Sequence, residues 1–167
     1  LACLLDRDGI PCTVVPPNQP VDAGVLAHVN IVVHLRGCGP ADDSAPGEID
    51  GLAGLAAISR GLAERDASPF PTRLLVATHG GEIVNATDRL GGDHPAWSGF
   101  VGTLRRELPW LDARIADLPS DDPNRNAARC LAELRNVGGD YMSAWRDNGR
   151  PSTSAVPPVP SPAWVNA

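Results

Sequence analysis

Apolar runs and helically spaced apolar stripes alternate along this chain and predict its elements one after another. Leu1, Leu4 and Leu5 stand at i, i+3 and i+4 and read as the last turns of a helix through Asp8, with Gly9 placed to end it. Pro11 to Val15 is short and β-branched, a strand candidate closed by the Pro16, Pro17, Asn18, Gln19, Pro20 run, and a loop follows. Val29 to Leu35 (VNIVVHL) and Thr72 to Thr78 (TRLLVAT) are nearly unbroken apolar runs, the pattern of parallel strands covered on both faces. Between them Leu52, Leu55, Ile58 or Ser59, and Leu62 recur at helical spacing through Glu64. Trp97, Phe100, Val101, Leu104 and Leu108 form the cleanest amphipathic stripe, and Pro109 stops it.

Ala113 to Leu118 (ARIADL) then predicts a short strand. Asp121 to Pro123 opens a helix with Ala127, Leu131 and Leu134 on one face, ended by Gly138-Gly139, and Asp140 to Arg146 (DYMSAWR) predicts a last strand. Such alternation builds an α/β fold: a truncated, Rossmann-like, mainly parallel sheet with helices on both faces. The expected organisation is a domain over 1–150 followed by a Pro/Ser-rich linker over 151–167 (PSTSAVPPVPSPAWVNA). Because the first leucines already lie inside a helix, the N-terminus is read as truncated.

Composition adds what the pattern leaves open. The 167 residues, 43% hydrophobic and 20% charged, suit one globular domain. A net charge of -6 with scattered basic residues disfavours nucleic acid, whose phosphates call for clustered cations. No apolar run reaches the roughly 18 residues of a membrane span and no signal peptide is visible, so a cytoplasmic location is expected. Cys3, Cys12, Cys38 and Cys130 lack CxxC spacing, lie in or beside apolar runs, and are expected to be buried free thiols.

All 14 basic residues are Arg. A short-chain reductase uses a Tyr with a Lys four residues on, which lowers the phenol's pKa. Here the one tyrosine, Tyr141, is followed at that spacing by Trp145. No GxGxxG dinucleotide fingerprint occurs, and Arg36-Gly37-Cys38-Gly39-Pro40 reads as a turn, since Pro removes a donor. His28, His34, His79 and His94 show no metal-binding spacing. His79-Gly80-Gly81 is not followed by a GxSxG elbow, Asn85-Ala86-Thr87 lacks a secretory context, and Asp42-Asp43 and Asp121-Asp122 read as loop and cap residues. No catalytic, cofactor-binding or metal residue is therefore assigned. The alternative is a small-ligand or cofactor-binding Rossmann-like module on the strand ends near His34, Gly37, His79 and Gly80.

TRLLVATHGGEIVNATDRL, then HPAWSGFVGTLRRELPWLDARIADLP, then a helix and GGDYMSAWRDNGR, together resemble the structural, non-catalytic subdomain of modular polyketide synthase ketoreductases or pseudo-ketoreductases. In that family a strand ending in a Thr-Arg-Gly-Ala type sequence precedes a Trp-Gly-x-Gly-Arg helix closing at Glu-His-Pro, then an Asp-Leu-Pro strand and a closing strand with an Arg-x-Gly-x-Arg end. Thr78 to Gly81, Trp97 to Arg105, Glu107-Leu108-Pro109, Asp117-Leu118-Pro119 and Arg146 to Arg150 occupy those places. LLDRDGIPCTVV and VNIVVHLRG look like its first helix and strand and its second strand, so the similarity covers roughly residues 1 to 150. His79 stands where the family has Arg, and Gly99 and Gly102 are spaced more widely than in the family.

The resemblance implies a half-domain that packs against and stabilises a separate catalytic half, the one that binds NADPH and carries Ser, Tyr and Lys. It implies no cofactor in this segment. Its partners would be neighbouring domains of the same bacterial multienzyme of secondary metabolism: the catalytic ketoreductase half, an enoylreductase, a dehydratase or a methyltransferase.

Overall fold

A computed structural model of the chain describes residues 1–16, 19–38, 47–65, 72–85, 88, 94–119, 122–136 and 140–146. Gly39-Pro40, Asp42-Asp43, Asp121, Gly138-Gly139 and the 151–167 stretch lie outside them. The elements are helix α1 (Ala2–Arg7), helix α2 (Ala23–Ala27), strand β1 (Ile31–Gly37), helix α3 (Gly47–Ala63), strand β2 (Thr72–His79), helix α4 (His94–Glu107), strand β3 (Leu111–Leu118), helix α5 (Pro123–Arg135) and strand β4 (Met142–Ala144).

Local chemistry explains several boundaries. Past α1, Gly9 takes a positive φ of 71°, so its N–H reaches the carbonyl of Asp6 and that of Ile10 the carbonyl of Leu5, both at 2.9 Å. Asp122 caps α5 by accepting the Asn124 N–H at 2.8 Å, with Pro123 following where no donor is needed. Asp22 caps α2 in the same way through the Gly24 N–H at 2.6 Å. That short helix stands where the sequence reading placed only loop, and it exists because Leu26 is buried against α3.

Pro11 to Val15 is a correction: it forms no strand. Prolines at both ends remove ladder donors, and Val14 is 70% exposed with no strand among the described residues paired to it. β-Branched residues favour a strand only where a partner waits.

The sheet is four-stranded, all parallel, in the order β1-β2-β3-β4. The fold is α/β and Rossmann-like. Strand side chains alternate between two cores. Leu74, Val76, Leu111, Ala113, Ile115 and Met142 meet α2, α3 and α4 on one face. Leu75, Ala77, Ala116 and Leu118 meet α5 on the other, with α1 against α5. Each connection steps one place in the same direction across the sheet, yet α3 and α4 lie over one face and α5 over the other. The β3-α5-β4 connection therefore has the opposite hand to the other two, and right-handedness is the general rule. Among the described residues no helix is long and apolar enough to cross a membrane.

Candidate functional site

Open α/β sheets place ligands at the carboxyl ends of their strands. In this protein that region is organised around Asp117, which sits near the end of β3 with no exposed surface. Its Oδ1 accepts from the Thr78 hydroxyl of β2 at 3.1 Å and from the Gly81 N–H at 2.7 Å. Its Oδ2 accepts from the Glu82 N–H and from Arg146 Nη2, both at 3.1 Å. Gly80, at φ 62°, makes the reversal that turns the next two N–H groups back onto the carboxylate.

Arg146, just past β4, extends the arrangement. Its Nε donates to Asp88 Oδ2 at 2.9 Å, its Nη1 to the Trp145 carbonyl at 2.6 Å, and its Nη2 also reaches the carbonyl of Glu82. Asp88 Oδ2 further accepts the N–H groups of Val84 (2.9 Å) and Asn85 (3.0 Å). The Arg146 guanidinium and those two N–H groups hold the Asp88 carboxyl well below the usual range. Burial pulls the Arg146 pKa down, but Asp88 and Asp117 outweigh it and raise it. Two carboxylates and one guanidinium thus strap residues 80–85 and Asp88 across the ends of β2, β3 and β4. Four backbone N–H groups of that segment, which could otherwise face an anion, are committed to Asp117 and Asp88.

No family model matches this chain, and none of the curated proteins matches it.

The residues singled out in sequence are dispersed by the fold. His34 on β1 is buried on the α3/α4 face, its ring 5.4 Å from that of Trp97. His79 ends β2 on the opposite face, where its Nδ1 lies 2.9 Å from the Leu118 carbonyl. Strand alternation separates the two imidazoles, so the sheet does not gather them into one site. His28 is exposed past α2. Among the described residues no group of three or more His, Cys, Asp or Glu is placed to hold a metal ion. Tyr141 is half-buried beside the first core with the Arg105 guanidinium 5.3 Å from its ring centre. Gly37 closes β1, past an irregularity in its pairing.

All four thiols are free, but Cys3 and Cys12 are exposed, which corrects the expectation of burial. Cys3 lies on the outward side of α1, and Cys12 lies in the segment that fails to join the sheet. Burial raises Cys130 to about 11 and Cys38 to about 12, so these two are inert thiols.

At the other end of the strands a hollow of about 230 Å³ is lined by Asn30, Ile31, Arg73 and Asp112. Its charges are also spoken for. Arg73 Nε and Arg114 Nε donate to Asp112 at 2.7 and 2.8 Å, and the two guanidinium groups reach the Leu134 and Asn136 carbonyls at the end of α5. Burial pushes the Asp112 carboxyl up, but Arg114 and Arg73 more than offset it, and its pKa lies below the ordinary value.

The strap residues were not assigned a role in sequence. The available signal was Asp117 beside the apolar Ile115 and Ala116 of ARIADL, and Arg146 at the end of the last predicted strand.

Proposed function

We propose that this chain is a non-catalytic structural subdomain of the ketoreductase or pseudo-ketoreductase region of a modular polyketide synthase, which packs against and stabilises neighbouring catalytic domains. The observation that carries the reading is the strap: the strand ends where a Rossmann unit receives its ligand are occupied by Asp117, Arg146 and Asp88. The chain has no Lys to pair with Tyr141, and the residues of the strap fall in the segments that resemble the family. On this reading the chain is not an enzyme by itself, binds no cofactor, and leaves NADPH to a separate catalytic half. Ile31 and Leu35, 45% and 48% exposed on the edge strand β1, give a neighbouring domain apolar surface to cover.

The alternative, a small-ligand or cofactor-binding module built on His34, Gly37, His79 and Gly80, has less support. Its histidines face opposite sides of the sheet, and the N–H groups beyond Gly80 already have acceptors. Calorimetric titration of the chain with NADPH, paired with a ketoester reduction assay, separates the two. No binding heat and no turnover are expected; saturable binding at micromolar NADPH would overturn the structural reading.

A further inference from the structure

His34 has a buried imidazole at 5% exposure, and neither ring nitrogen has a hydrogen-bond partner. A buried polar ring without partners is costly, and a charged one far more so. Three elements close around it. Trp97 of α4 lies against the ring at a 45° tilt. Gly54 of α3 lies over it at packing distance: an added Cβ would stand in ordinary van der Waals contact, 3.7 Å from His34 Nε2 and 3.7 Å from Arg36 Nη1. β2 places Val76 in register beside it. Among the described groups the charge bearing on the imidazole is Arg36 on its own strand; Gly54, Trp97 and Val76 bring none.

We propose that His34 is an acid-labile joint of the fold: while neutral it lets β1, α3 and α4 close on one another, and protonation forces those elements apart before the opposite face of the sheet yields. Burial, and secondarily Arg36, lower its pKa from 6.5 to about 4. Between those values the unfolded or locally opened chain binds a proton that the closed one does not. The stabilisation is therefore complete above the unfolded value and declines as pH falls toward the folded one. One such proton weakens closure roughly 20-fold between about pH 7 and about pH 5. Over the same interval the Asp112 carboxylate that ties α5 to the other face stays charged, because its pKa is lowered.

The test uses the full chain. The His34 ring proton is followed by NMR through an acid titration, and urea unfolding with amide exchange, corrected for intrinsic pH effects, is compared at about pH 7 and about pH 5 for wild type and His34→Phe. The expected result is a ring that stays neutral until the native signals weaken, roughly 20-fold loss of stability in wild type, faster exchange in α3 and α4 than in α5, and little pH dependence in His34→Phe. A ring titrating near its ordinary pKa with native signals intact would overturn the proposal, as would an equal acid loss in His34→Phe. Should His34→Phe fail to fold, the wild-type ring titration and the exchange contrast decide the matter.

Discussion

The two faces of the sheet are held by different physics. Over α3 and α4 the core is built from large apolar side chains, with Leu55, Leu62, Leu74, Val76 and Val101 fully buried around Trp97. Over α5 the sheet presents the small Ala77 and Ala116 beside Leu75 and Leu118, so less apolar side-chain volume is buried there. Charged groups supply what volume does not. Arg73, Asp112 and Arg114 bind the end of α5 to β2 and β3, Trp145 Nε1 donates to Glu133 at 2.8 Å, and Arg135 pairs with Asp8 to bring α1 in. The first face draws its stability from area removed from water, roughly 1.5–3 kcal/mol for each large side chain. The second draws mainly orientation from partly exposed ion pairs, each contributing little.

The contrast predicts unequal damage. Trp97→Ala empties the centre of the first face and is expected to cost about 3–5 kcal/mol, read from the urea midpoint at unchanged slope. A cost below about 1 kcal/mol would mean that the apolar face is not the principal source of stability.

Asp117→Ala acts where the strands end, removing the shared acceptor of Thr78, Gly81, Glu82 and Arg146. A loss of about 3 kcal/mol is expected, because a buried guanidinium and two N–H groups lose a partner together, although Arg146 keeps Asp88. Arg146→Ala in the Asp117→Ala background should add much less than it costs alone. Full additivity in that double-mutant cycle would show that the strap is not one unit.

Arg73→Met keeps the length of the side chain and removes its charge. Arg73 and Asp112 are only partly buried, so about 1 kcal/mol is expected, shrinking as salt is raised. A loss as large as that of Trp97→Ala would abolish the distinction between the faces.

Much of this arrangement was legible in the sequence and some was not, for reasons that can be named. β2 and α4 were readable because burial on both faces leaves a nearly unbroken apolar run and a one-sided helix leaves a stripe at 3.6 spacing. Pro11 to Val15 misled because strand propensity is realised only against a partner, and α2 was missed because five residues cannot display a helical period. The placement of α5 on the far face depends on the hand of a connection, which no local pattern encodes. The strap was half visible. Asp117 beside Ile115 and Ala116 and Arg146 at the end of the last predicted strand can be noticed in the sequence, but their meeting needs the parallel pairing of β3 with β4.

The smallest expected effect concerns glycines, and it separates packed from open helix surface. Gly51 in α3 is buried on the first face, where an added Cβ would stand 3.0 Å from Cζ2 and Cη2 of Trp97. The ring already lies against His34, so Gly51→Ala is expected to destabilise despite its better helix propensity. Gly99 and Gly102 in α4 would place a Cβ with nothing within 4 Å. With no clash to offset it, each change to Ala should stabilise the chain by up to about 1 kcal/mol. Thermal unfolding of the three variants measures both signs at once. Stabilisation by all three would mean that α3 can shift away from Trp97. Destabilisation by Gly99→Ala or Gly102→Ala would mean that the outer side of α4 is covered in solution.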